Sequence, residues 1–125
     1  MKAKILEIQK TLGLQDEPFN RVDIPWKTMK DFDERCLINR GEQQNDAPKV
    51  GHFISFFDEI AHLISDLEFE CYVVGTKRMD SRLAIEGVKG KALDAVTAQV
   101  IHDFLKSADE FDFDAKTFKF RAWWD

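Results

Sequence analysis

Apolar residues fall at helical intervals over the first half of this chain of 125 residues, and at alternate positions over much of the second. Ile5, Ile8 and Leu12 lie on one helical stripe, with Gly13 a natural stop just beyond them. The segment from Gln15 to Val22 contains Pro18, has no clear period, and reads as a loop. Asp23 is placed to cap a second helix whose first turn accepts Pro25. Trp26, Met29, Phe32 and Cys36 give that helix its apolar stripe, and it should end near Asn39 to Gly41. Gly41 to Lys49 is the most polar stretch and reads as a mobile loop. Val50 to Leu67 gives the strongest helical pattern: Phe53, Ile54, Phe57, Ile60, Ala61 and Ile64 share one side. His52, Ser55, Asp58, Glu59, His62 and Asp66 share the other.

Alternation takes over at Glu68. Phe69, Cys71 and Val73 face one way, and Glu68, Glu70 and Tyr72 the other. From Arg82 to Val88, Leu83 and Ile85 alternate with Ala84 and Glu86, so Val73 is expected opposite Ile85 across a Lys77 to Ser81 turn. Lys91 to Lys106 returns to helical spacing, with Leu93, Val96, Val100 and Phe104 on one stripe and Ile101 and Leu105 beside it. A hairpin follows from Glu110 to Asp125. Folded about Ala115 and Lys116, it sets Phe113 opposite Phe118 and Phe111 opposite Phe120, with Asp112 meeting Lys119 and Glu110 meeting Arg121. The expected product is a single α+β domain over residues 1–125. Three N-terminal helices precede a ββαββ unit, whose four-stranded antiparallel sheet carries the helices on one face.

Composition narrows the function classes. Eleven phenylalanines against one tyrosine point to a core filled with rings. A net charge of −5 argues against general affinity for nucleic acid or an anionic membrane, which require a basic surface. No apolar run is long enough for a signal peptide or a membrane span, and the expected location is the cytoplasm. Cys36 and Cys71 have no metal-type spacing and sit on apolar stripes, which predicts two reduced, buried thiols.

Candidate chemistry is sparse, and the sequence assigns no catalytic residue, metal or cofactor. Asp58, His62 and Asp66 recur every four residues along one helix face, and Glu59 with His62 matches half of a di-iron carboxylate–histidine pattern, without a second half elsewhere, so that Asp58, Glu59 and His62 are the candidate polar groups. They would serve as polar groups of a small-molecule pocket between helices and sheet only if that face turned inward. Lys89, Gly90 and Lys91 read as a glycine turn entering a helix, an arrangement suited to anions, although the rest of a P-loop is missing. The basic turn at Lys77, Arg78 and Arg82 is best read as solvated. The last strand carries the main expectation. Alternation must turn either Trp123 or Trp124 outward, beside Lys119 and Arg121, and a last strand at a sheet edge needs a cover. Lys119, Arg121, Trp123 and Trp124 are therefore the expected interface of a small non-catalytic interaction protein. Its partner is another protein or a second copy.

Overall fold

The computed structural model describes residues 2–125. Its elements run α1 (Lys2–Leu12), β1 (Phe19–Pro25), α2 (Trp26–Glu34), α3 (Val50–Ile60), a 3-10 turn (Ala61–Leu63), β2 (Ile64–Val74), β3 (Arg82–Ala92), α4 (Ala95–Leu105), β4 (Glu110–Phe113) and β5 (Lys119–Trp123). The strands form one antiparallel sheet of five, ordered β1-β2-β3-β5-β4. This overturns the expected four strands behind three leading helices. One helix comes first, then a strand.

The extra strand is the segment read as a loop. Along β1 only Ile24 is fully buried, while Phe19, the bulkiest residue, points to solvent. An edge strand with one buried side chain has almost no hydrophobic contrast, and Pro18 and Pro25 at its ends look like loop residues. Asp23, expected to cap α2, lies inside β1; Pro25 precedes the helix without a side-chain cap. α2 ends at Glu34, and Cys36 follows with a positive φ of 57° and is exposed. Cys71 alone is the buried thiol, and burial pushes its pKa well up.

α3 stops at Ile60, earlier than its pattern suggests, and Ile64 to Leu67 belong to β2. β3 runs on to Ala92, so Gly87 to Lys91 is strand interior where a turn was expected. α4 starts at Ala95, capped by Asp94, whose carboxylate accepts the Thr97 amide at 2.7 Å. Cys71 pairs with Ile85, and Val73 with Leu83. In the final hairpin Phe113 pairs with Phe120 and Asp112 with Arg121, two residues from the expected register. The reason lies in the turn. A two-residue loop at Ala115 and Lys116 would need positive φ values that neither residue favours. The chain takes a longer loop, in which Asp114 Oδ1 accepts the Lys116 and Thr117 amides at 2.8 and 3.2 Å and Phe118 adopts φ 64°.

Helices cover one face of the sheet. Phe53 and Phe57 of α3 set their edges on Phe69 of β2, with centroids 6.0 and 5.7 Å apart, and Trp26 of α2 reaches the same ring. Trp124, just past β5, is buried against Phe53 at 5.6 Å. Ala98, Ile101 and Leu105 turn α4 inward. Leu93, Val96 and Val100, the stripe expected at the core, are 57%, 76% and 42% exposed. α4 is apolar on two sides, and the sheet can take only one.

Candidate interaction face

With all helices on one side, the other face of the sheet is left open. Its side chains form rows across the strands: Arg21, Tyr72 and Ala84; then Asp23, Glu70, Gly87, Trp123 and Glu110; then Glu68, Lys89, Arg121 and Asp112. The register of β2 against β3 shifts between Glu70 and Cys71, leaving Glu86 as an extra residue between Ile85 and Gly87. That bulge matters. Glu86 shares the open face with Ala84 by alternation, and the bulge sets Gly87 on that face directly after it; the Glu86 side chain is 8% exposed, with Arg21 Nε 3.7 Å from its carboxylate. The Glu86 carbonyl accepts the Trp124 amide at 2.9 Å, which fixes the bulge against the end of β5.

Several charges on this face are paired. Arg121 forks onto Glu70 with both contacts at 2.9 Å, and Lys89 Nζ meets Asp23 at 2.8 Å. Arg21 donates to the Tyr72 hydroxyl and also attracts Glu86. Burial nonetheless pushes the Glu86 carboxyl above its ordinary value; Arg21 and a hydrogen bond from the Trp123 side chain pull the other way. Three arginines lie near rings. Arg21 sits 4.8 Å over Tyr72, Arg78 sits 4.6 Å over Phe19, and Arg121 lies 5.9 Å from Trp123.

A small concavity of about 290 Å³ opens among Arg21, Asp23, Glu70, Glu86, Arg121 and Trp123. Gly87 makes it possible. A Cβ there would stand 2.8 Å from the Ala122 carbonyl and 3.1 Å from both Glu70 Oε2 and Trp123 Cδ1. A wider open groove of about 930 Å³ adjoins it, lined by Lys89, Gly90, Lys91, Lys119 and Arg121 with Glu68, Asp112 and the β4–β5 loop.

Of the expected interface residues, Lys119, Arg121 and Trp123 lie on the open face, while Trp124 lies in the core. β5 is not an edge: it lies between β3 and β4, and the edges are β1 and β4. Lys89, Gly90 and Lys91 lie within β3 rather than in a turn entering a helix, and Lys91 faces Lys119 across the ladder. Asp58, Glu59 and His62 are exposed on the helical side, with Asp58 held by Lys30 Nζ at 2.8 Å. Among the described residues no group of three or more His, Cys, Asp or Glu side chains is placed to hold a metal ion. No helix is long and apolar enough to cross a membrane.

Sequence reasoning missed Arg21 because β1 reads as a loop; alternation set Glu86 on its correct face with Ala84, but gave no sign of the bulge that brings Gly87 beside it. Tyr72 and Glu70 were placed on their correct face, and nothing then connected them to Trp123. The fold is thus a two-layer α+β architecture with a bare sheet face. Comparison with protein-family models, with curated proteins and with solved structures finds no match for the chain.

Proposed function

We propose that this is a non-catalytic interaction protein that binds a protein partner with the open face of its sheet. The observation that carries the reading is a set of arginine–aromatic pairs: Arg21 with Tyr72 and Arg121 with Trp123 on that face, and Arg78 of the β2–β3 turn over Phe19 of β1. Arginine, tryptophan and tyrosine are the residues in which interfaces concentrate their energy, because each offers large rigid area together with a directed polar group. Carboxylates lie between the arginines, so the face is mixed in sign. That composition suits a polar protein surface better than a phosphate backbone. Asp23, Glu70 and Glu86 are each tied to a cation and the Tyr72 hydroxyl is held by Arg21, which supports binding over chemistry.

Affinity capture from the source cells tests the reading, using wild type, Trp123→Ala, Arg121→Ala and, as a control on the helical side, Val96→Ser. A partner held by wild type and by Val96→Ser, and released by both face variants, is the expected result. A partner retained equally by the face variants, each shown to be folded by circular dichroism, removes the open face from the interaction.

A further inference from the structure

The sheet has two free edges, and they differ in what they can pair with. Main-chain directions along β1 follow from one hydrogen bond: the Gly75 amide donates to the Pro18 carbonyl at 3.2 Å, flanking the Phe19–Val74 pair. In an antiparallel ladder a pair flanked in this way exchanges no bonds itself, and the next pair exchanges both. Asn20, Val22 and Ile24 therefore turn their amides and carbonyls to β2. Phe19, Arg21 and Asp23 turn theirs outward, unpaired. The same argument applies to β4. The Asp114 amide donates to the Lys119 carbonyl at 2.9 Å beside the Phe113–Phe120 pair, so Phe111 and Phe113 hold the outward groups there.

Two-fold pairing of β4 with itself places acid on acid in every register these outward groups allow. Centred on Asp112 it opposes Asp112 with its own copy and Glu110 with Asp114; shifted either way, it opposes Asp112 with Glu110 or with Asp114. That edge is guarded by charge. On β1 one register behaves differently. Centred on Val22, it sets Arg21 against Asp23 of the other copy, twice over, with Phe19 against Pro25. Pro25 lacks the amide that this register would otherwise direct at the Phe19 carbonyl, but its own carbonyl can accept the Phe19 amide. A shift to either side opposes Arg21 with Arg21 or Asp23 with Asp23, and like charges directly opposite are unfavourable.

We propose that two copies of this chain associate through β1, antiparallel about a two-fold axis at Val22, into one continuous sheet. In this dimer each Arg21–Asp23 pair exchanges both main-chain bonds. The Val22 pair is non-hydrogen-bonded, with its half-buried side chains meeting on the helical side. Arg21 and Asp23 keep side-chain exposures of 63% and 47%, enough to reach across to the partner copy on the open face. The interface is isologous and closes at two copies, because the two-fold pairing occupies β1 of both and the opposite edge, β4, is guarded by its acids. This inference uses the main chain of β1 and stands independently of the open-face reading, which a failure here would leave intact.

Sedimentation equilibrium of the full chain over a wide concentration range, with hydrogen exchange at single-residue resolution, decides it. The expected result is reversible association to twice the 14.5 kDa chain mass. The outward amides of Phe19, Arg21 and Asp23 should exchange at least tenfold more slowly in concentrated than in dilute protein. Arg21→Pro deletes one outward amide without touching a bond to β2, and Asp23→Arg sets arginine against arginine. Both should remain monomeric, with circular dichroism like the wild type. A monomer at the highest soluble concentration overturns the proposal. So does a dimer that survives both substitutions, or one whose β1 amides exchange alike at all concentrations, which would assign the contact to another surface.

Discussion

Arg121 on β5 grips Glu70 on β2 across the full width of β3, with both guanidinium contacts at 2.9 Å. The strand between them contributes Gly87 at the crossing point, and its missing side chain lets the carboxylate lie down over the ladder. The open face is therefore organised by an ion pair that skips a strand, a geometry that no pairwise reading of neighbouring strands contains.

Gly87→Ala should disrupt this crossing. The added methyl would stand 2.8 Å from a backbone carbonyl that cannot move freely, and close to both Glu70 and the Trp123 ring. Overpacking of this kind costs about 1–3 kcal/mol. Denaturant unfolding should show that loss, together with a shift in Trp123 emission. Unchanged stability would mean that β3 and β5 separate more easily than their register implies.

The two adjacent tryptophans should behave very differently. Trp124 is fully buried against Phe53, and its removal leaves a large cavity, so Trp124→Ala should cost about 3–5 kcal/mol. Its indole nitrogen has no hydrogen-bond partner, so Trp124→Phe forfeits no polar contact and should cost distinctly less than the alanine change. Trp123→Ala, on the half-buried open face, should cost under about 1.5 kcal/mol. Chemical denaturation of the three variants ranks them.

On α4, neighbouring apolar residues should separate into two classes. Ile101→Ala should lose about 2–5 kcal/mol, whereas Val96→Ser, 76% exposed, should stay within about 0.5 kcal/mol of wild type. Equal effects at the two positions would contradict the orientation of the helix.

Two carboxyls should give stability opposite dependences on pH. The Thr76 hydroxyl, the Thr76 amide and Gln9 hold the Asp16 carboxyl down to about 2. A depressed acid stabilises the fold above its ordinary value of 3.8, and that contribution disappears as pH falls through about 2. Glu86 runs the other way. Burial raises its pKa, so the fold prefers the protonated acid, and stability falls as pH rises from the ordinary value of 4.5 through the raised one. Thermal midpoints measured against pH should show Asp16→Asn flattening the acid limb. Glu86→Gln should be more stable than wild type at neutral pH, with the advantage gone below about the ordinary glutamate value.

What the sequence reveals and conceals follows from the periods involved. The faces of the last hairpin are legible because alternation separates Phe111, Phe113 and Phe120 from Asp112, Lys119 and Arg121. Its register is not, because a period of two is unchanged by a slip of two, and the turn makes the choice. β1 escapes notice because an edge strand buries only Ile24. The α3–β2 boundary is blurred because Ile60, Ile64 and Leu67 satisfy a helical stripe as well as a strand. Of the open face, Arg121 and Trp123 could be found from alternation. Their connection to Arg21 and Glu86 required strand order and a bulge, neither of which leaves a local signature.

The hairpin loop has a consequence for how the register is chosen. Both ladders, the one formed and the one two residues away, keep phenylalanines on one face and charges on the other. The alternative even sets Glu110 against Arg121. What separates them within residues 110–125 is the turn, because only the observed ladder spares Ala115 and Lys116 a positive φ. In the whole protein β3 adds a second constraint, accepting Lys119, Phe120, Arg121, Ala122 and Trp123 in a single alignment. The register of the last hairpin is therefore fixed twice, once by its own loop and once by the central strand beside it.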